Sequence, residues 1–186
     1  MSEADVIQRV RRIALEEAKK SAAGALDVGK PMGTNTNNVK YNTAFYGFAE
    51  VNPDKAWCVV FIWWVMRQAG VPATVFPKKA SVFRAADGGV RAWFKARHRF
   101  MSASSMPKVG DLVVFKSSHI GIVENVQANT IFTVEGNASD TRGVPEVIPR
   151  AQRTCDSTAM VRVLPSRWRC WWSGRSSTWR YAAFAS

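Results

Sequence analysis

Histidine is scarce in this chain of 186 residues, which contains only His98 and His119. Cysteine occurs three times, at Cys58, Cys155 and Cys170. These unrelated spacings match neither a disulfide framework nor a zinc-binding pattern. Chemistry that needs a thiol and an imidazole therefore has very few pairs of residues to use.

Long apolar runs are also missing. The longest run, from Ala56 to Met66, is too short to span a bilayer. The opening segment, Met1 to Ile7, lacks the basic and apolar regions of a signal peptide. We therefore expect a soluble, reduced protein that is made in the cytoplasm and needs outside help for any export.

Acidic side chains are few, with 14 Asp and Glu against 26 Lys and Arg, so the formal net charge is +12. This excess indicates an anionic environment, which is nucleic acid, a membrane surface or a polyanionic cell wall. Charge alone does not choose among them. The sequence has no helix-turn-helix, zinc or RNA-binding motif, so we expect no nucleic-acid partner.

The chain is long enough for one domain with a real core, which we place at residues 1–164. Residues 165–186 form a basic, Trp-rich tail without acidic residues, too short to be a domain of its own. Three interpretations of the tail stay open. Its aromatic side chains pack back on the domain, it adheres loosely to anionic wall or membrane surfaces, or it arises from a shifted reading frame.

Helices come first along the chain and strands come second, which is typical of an α+β fold with helices on one face of an antiparallel meander. The pattern predicts an amphipathic helix over 2–23 with Ser2 as its cap, a loop over 24–43 and a helical turn over 90–96. The predicted strands are 112–115, 119–126, 130–137, 144–148 and 160–164.

Cys58 lies in the first turn of a predicted helix that is apolar on all sides and therefore buried. Asn52 or Asp54 is suited to cap its start, and Gly70 to end it. The partial positive charge at a helix N-terminus favours a thiolate over a thiol. Taken alone, however, the residue is most simply a small core hydrophobe.

His119 is the better of the two histidines for catalysis, because His98 lies in a solvated basic patch. Gly121 shares the face of His119, and a glycine there allows another element, such as a helix terminus, to approach closely. A three-residue hairpin connection around Ala128 would place Glu135 opposite Gly121, diagonal to the histidine, and Asn137 opposite His119. A two-residue turn would put both on the other face, so the site requires an odd-length loop or a β-bulge.

Four segments in order, AWCVVFIWWVMRQAG, PKVGDLVVF, SSHIGIVENV and TVEGNASD, resemble the CHAP domain, the cysteine, histidine-dependent amidohydrolase/peptidase family. The likeness is to the domains of phage endolysins and actinobacterial cell-wall hydrolases, and it extends to about residue 164. It implies a papain-like fold and hydrolysis of a peptidoglycan amide. It also implies that Cys58 is the nucleophile, His119 the base and Glu135 the orienting carboxylate, with Asn137 in the polar position after it.

The resemblance carries further expectations. Tyr46, Trp57 and Trp93 are candidates for lining the substrate cleft, although most aromatic side chains belong to the core. The acidic calcium-loop motif of some endolysins is absent near residues 35–41, so we expect no required metal, and no cofactor is implied. A separate wall-binding domain is missing, and at most the basic tail replaces it by binding anionic wall polymers.

We therefore expect a monomeric phage endolysin that acts on bacterial peptidoglycan after holin-type or lysis-dependent release. The alternative is a non-catalytic protein that binds anionic wall polymer or nucleic acid through its basic surface. Which amide is cut stays open.

Overall fold

The computed structural model describes residues 2–22, 39–48, 56–76, 78, 88–101, 107–115, 117–128, 130–139, 145–153 and 159–161. The predicted tail over 165–186, Cys155 and Cys170 lie outside these ranges, so the domain boundary at residue 164 stays a prediction. Within the described ranges no helix has the length and apolar character needed to cross a membrane.

Helix α1, Glu3–Ala22, begins as the sequence predicts. The Ser2 hydroxyl accepts a hydrogen bond from the Asp5 backbone N–H at 3.1 Å, and the Asp5 carboxylate accepts one from the Ser2 N–H at 2.8 Å. This reciprocal pair satisfies donors that have no partner inside the helix. Val10 and Ala14 are buried beneath the helix, on its predicted apolar face.

Helix α2, Lys40–Tyr46, corrects the predicted loop over 24–43, because its first residues are helical. The side chain of Tyr41 is completely buried, which anchors this short helix in the core. Gly47 then ends the helix in the left-handed conformation, with φ of 85°, and its N–H donates to the Thr43 carbonyl at 2.9 Å. Packing thus outweighs the turn-rich composition of the segment.

Helix α3, Cys58–Gln68, is buried along most of its length and confirms the predicted position of Cys58 in the first turn. Its N-cap residue is Trp57, so the prediction that Asn52 or Asp54 is the N-cap was wrong. Both of those residues lie outside the described residues. Gly70 ends the helix as predicted, with φ of 83°. The Gly70 and Val71 N–H groups donate to the Arg67 and Met66 carbonyls, which is a Schellman motif.

Helix α4, Val90–Lys95, matches the predicted helical turn. The strands form one six-stranded antiparallel sheet in the order β1-β6-β2-β3-β4-β5. Four consecutive strands make the predicted meander, but β6 returns to pair with β2, and β1 at the edge was not predicted. The strand bounds are β1 Phe100–Met101, β2 Leu112–Val114, β3 Ile120–Gln127, β4 Thr130–Ser139, β5 Pro145–Arg153 and β6 Ala159–Val161.

The main core lies between the sheet and the helices α1 and α3, both of which contact β3 and β4. Alternate residues of the strands point into this core, including Ile120 and Ile122 of β3 and Val134 of β4. Val123 of β3 and Ile131 of β4 belong to a smaller apolar cluster on the other face of the sheet. The α+β fold with helices packed on an antiparallel sheet is therefore confirmed.

Candidate active site

Cys58 is the first residue of α3, and its side chain is buried. One turn further on, Phe61 lies against Gly136 of β4, where an added Cβ would be only 2.5 Å from the Phe61 Cβ. Only a glycine leaves room for this contact, so Gly136 allows the helix to dock closely on the sheet beside Glu135.

The β3–β4 hairpin contains the β-bulge that the sequence left as one of two options. Gln127 pairs directly with Thr130, so the connection has two residues rather than three. The register then shifts between Val123 and Asn125, which leaves Glu124 as one extra residue in β3. This residue restores the register that a three-residue connection would have produced.

Glu135 consequently lies over Gly121, as the predicted register requires. A Cβ on Gly121 would be 2.8 Å from the Glu135 Cγ and 3.2 Å from the Thr133 Cβ. The predicted purpose of this glycine needs correction, however. The space beside Gly121 admits the Glu135 side chain, whereas the helix docks against Gly136.

His119 directly precedes β3, and its carbonyl accepts a hydrogen bond from the Phe115 N–H at 2.9 Å. The His119 Nε2 lies 3.1 Å from the Glu135 Oε2. The two atoms do not meet the geometry of a hydrogen bond, so the contact is an ion pair when the ring is protonated. On its other oxygen, the buried Glu135 carboxylate accepts a 2.6 Å hydrogen bond from the Thr133 hydroxyl.

The electrostatic environment favours the protonated form of His119. Burial alone would lower the pKa of this imidazole, but hydrogen bonding to Cys58 and Glu135 and the negative charges of both groups outweigh it. Together they raise the pKa of His119 from 6.5 to about 9. The imidazole is therefore a cation at neutral pH, positioned between Cys58 at a helix N-terminus and a buried carboxylate.

Comparison with known families agrees with this arrangement, since the family model of the CHAP domain matches residues 50–137. Residues 50–137 are thus similar to a CHAP domain. The match contains Cys58, His119, Glu135 and Asn137, and it supports an amidohydrolase or peptidase activity. Neither curated proteins nor solved structures give a match to the chain.

Asn137, the last residue of the matched region, lies in a second irregularity of β4, where the register with β5 shifts between Glu135 and Ala138. Its backbone is left-handed, with φ of 57°, and its side chain is half-buried. Among the described strand pairs, those between β3 and β4 end at Val134, so Asn137 forms no ladder pair with His119. A catalytic role for Asn137 stays a prediction.

The three aromatic residues predicted to line the cleft occupy different environments. Trp57 is only 1% exposed and stacks on Tyr41 with 5.5 Å between the ring centroids, so it offers substrate no surface and belongs to the core. Tyr46 is half-buried against Phe45. Trp93 is half-buried beneath the Arg97 guanidinium, whose carbon lies 3.2 Å from the ring centroid. Substrate contacts of Tyr46 and Trp93 stay predictions.

Sequence reasoning missed Thr133 as a partner of Glu135, although both residues lie on the same face of β4 and the signal was available. It also missed Arg11, whose guanidinium reaches the bulge residue Glu124 from α1. No local pattern identifies a contact between residues so far apart in the chain.

Proposed function

We propose that this protein hydrolyses an amide bond of bacterial peptidoglycan by a thiol mechanism. In it, Cys58 is the nucleophile, His119 the acid and base, and Glu135 the carboxylate that orients the imidazole. One observation carries the proposal, the position of His119 between Cys58 at the start of α3 and the buried Glu135. The net charge of +12 suits a cell wall that carries anionic polymers.

In the acylation step, the Cys58 thiolate attacks the amide carbonyl carbon and forms a C–S bond. Protonated His119 then donates its proton to the amide nitrogen as the C–N bond breaks, and the amine leaves. A pKa of about 9 keeps this proton on the imidazole at neutral pH. Because Nε2 contacts Glu135, we assign Nδ1 as the nitrogen that serves the sulfur and the leaving group.

In the deacylation step, neutral His119 accepts a proton from water, whose oxygen attacks the thioester carbonyl. The C–S bond breaks, a carboxylic acid is released and the thiolate is restored. Glu135 stabilises the imidazolium in both steps and holds the ring, as the carboxylate does in other triads. The Thr133 hydroxyl in turn fixes the orientation of that carboxylate.

The negative oxygen that develops on the carbonyl needs hydrogen-bond donors. The backbone N–H of Cys58 has no acceptor within its own helix, because it belongs to the first turn. We assign it as one oxyanion donor, and such donors typically contribute about 3 kcal/mol to transition-state stabilisation. This assignment explains why the nucleophile belongs at the first position of the helix.

Within this proposal the protein is a monomeric phage endolysin that reaches the wall after release from the cell that makes it. Its resemblance to endolysin domains and its strong positive charge support this role. The basic segment over 165–186 would add attraction to anionic wall polymers through its Arg and Trp residues.

Cell-wall digestion tests the proposal. Wild-type protein should clear a suspension of susceptible walls and release free amines, and Cys58→Ala should do neither, whereas Cys155→Ala should behave as wild type. Mass spectrometry of the products would show whether the cut bond is muramoyl–alanine or lies within the peptide. Clearing by Cys58→Ala at the wild-type rate would contradict the assignment.

A second candidate function is non-catalytic binding of an anionic polymer, which the net charge of +12 favours. Binding of this kind weakens steeply as salt concentration rises, because the interaction is electrostatic. Salt-sensitive adsorption to walls without new amines, equal in wild type and Cys58→Ala, would favour this function over hydrolysis.

A further inference from the structure

We propose that Arg11 of α1 is a positioning residue for the contact between His119 and Glu135, because it holds the β-bulge that sets the register of β3 against β4. The effect on catalysis rests on the proposed function. The effect on register does not, and it can be measured separately.

Arg11 binds one residue of the bulge at two points. Its Nε donates to the Glu124 backbone carbonyl at 2.7 Å, and its Nη2 donates to the Glu124 carboxylate at 3.2 Å. Glu124 is the extra residue that takes no place in the ladder between β3 and β4. A single guanidinium therefore fixes both the backbone and the side chain of the residue on which the register depends.

The position of Glu135 depends on this extra residue. If the register at the turn continued without it, Ile122 would stand opposite Glu135, and Gly121 would stand opposite Gly136. Glu135 would then point to the face of Ile122, away from the face of Gly121. The bulge thus decides whether the carboxylate can reach the imidazole.

The apolar pattern also favours the observed register, because it places Ile122 and Val134 together in the main core. Removing Arg11 therefore should not shift the whole sheet. It should release Glu124 and allow the strand segment before the bulge to move relative to β4. Since that segment begins just after His119, the distance between His119 and Glu135 should become variable.

Nuclear magnetic resonance of the full chain provides two readouts. Cross-strand contacts between Val123 and Thr133 report the register. The titration of the His119 ring reports its contact with Glu135, since that carboxylate helps to raise the pKa to about 9. The chain has only two histidines, so His98→Gln assigns the signals. Global destabilisation alone would not change the titration of molecules that remain folded.

The test variant is Arg11→Leu, and the matched control is Arg12→Leu. Arg12 is the next residue of the same helix, and its guanidinium pairs with the exposed Glu16. We expect Arg11→Leu to lower the pKa of His119 and weaken the Val123–Thr133 contacts, while Arg12→Leu changes neither. If Arg11→Leu does not fold, Glu124→Gln tests the same point, because it weakens one of the two contacts.

In wall hydrolysis, Arg11→Leu should lower kcat about tenfold or more with little change in KM, since misplaced catalytic groups lose rate rather than binding. An Arg11→Leu protein with wild-type His119 titration and wild-type cross-strand contacts would overturn the proposal. If wild type releases no amine from walls but Arg11→Leu still shifts the titration, the positioning inference stands and the proposed function fails.

Discussion

The side chain of Glu135 in β4 packs directly against Gly121 in β3. The glycine lacks the one atom that would lie 2.8 Å from the Glu135 Cγ, and the carboxylate side chain fills the position instead. From there its Oε2 reaches the His119 Nε2. Replacement of Gly121 should therefore disturb the imidazole through Glu135.

Gly121→Ala should destabilise the fold by about 1–3 kcal/mol, the usual cost of overpacking, and should lower the wall-hydrolysis rate. Urea unfolding and amine release measure the two effects. Combining Gly121→Ala with Glu135→Ala, which removes the Cγ that the new methyl group would meet, should cost less stability than the sum of the two single variants and should not recover the activity. Additive destabilisation in the double variant would contradict the steric explanation.

Thr133→Val should reduce activity while keeping the shape of the side chain. The Thr133 hydroxyl donates to the Glu135 carboxylate at 2.6 Å within the buried site, and losing a donor to a buried charge costs about 1–3 kcal/mol. Thr133→Ser retains the hydroxyl and should retain most of the activity. Thr130→Val, a half-buried position on the same strand, is the matched control, and an equal loss there would argue against a specific role for Thr133.

Stability should fall as the pH rises from about 6.5 to about 9. Burial would lower the pKa of His119, but the contacts with Cys58 and Glu135 raise it to about 9. The folded state therefore binds this proton more tightly than the unfolded state, so the contribution is complete below the unfolded pKa and is lost as the pH passes the folded one.

The loss should amount to at most about 3–4 kcal/mol, because the pKa rises from 6.5 to about 9 and each pKa unit corresponds to about 1.4 kcal/mol. Urea unfolding measured from pH 6 to pH 10 should show the decline in wild type and in His98→Gln. His119→Gln should show a much smaller decline over the same interval. Equal slopes in all three proteins would refute the raised pKa.

The neighbouring residues Glu16 and Glu17 of α1 should differ sharply in their contributions to the free energy of unfolding. Glu17 is buried and accepts hydrogen bonds from Tyr41 at 2.6 Å and Lys20 at 2.8 Å, and it also pairs with Lys40. Burial would raise the pKa of Glu17, but these donors outweigh it and lower the pKa. Its stabilising contribution is therefore present above pH 4.5 and is lost as the pH falls through the lowered pKa.

Glu17→Gln should cost about 3 kcal/mol, as is typical when one member of a buried charged group is removed. Glu16→Gln removes an exposed pair with Arg12 and should cost less than about 1 kcal/mol. Thermal unfolding at pH 7 compares the two variants. Similar melting temperatures for both would contradict the assigned role of Glu17.

Much of the fold and the arrangement of Cys58, His119 and Glu135 could be predicted, because those predictions depend on local patterns. The apolar segment after Cys58 and the glycine that ends it define α3, and alternation along β4 places Thr133 and Glu135 on one face. For the hairpin, the sequence allowed either an odd-length loop or a β-bulge, because side chains alternate with a period of two and only these place Glu135 on the face of His119.

What could not be predicted depends on contacts between distant segments. The choice of a bulge over a longer turn involves Arg11, which lies 113 residues before Glu124. The burial of Trp57 involves stacking on Tyr41, and the helix around Tyr41 is stabilised by contacts with Glu17 of α1. Neither interaction leaves a signal in the local sequence.

The extra residue in β3 also limits how the gene can change. Deleting a single codon between those of His119 and Glu135, or adding one, would reverse the face on which the carboxylate projects. A change of two codons would keep the face but shift the pairing. In this hairpin, single-codon insertions and deletions should therefore be tolerated less well than most substitutions. This should hold even though Gln127 and Ala128 are exposed and exposed loop tips usually accept such changes.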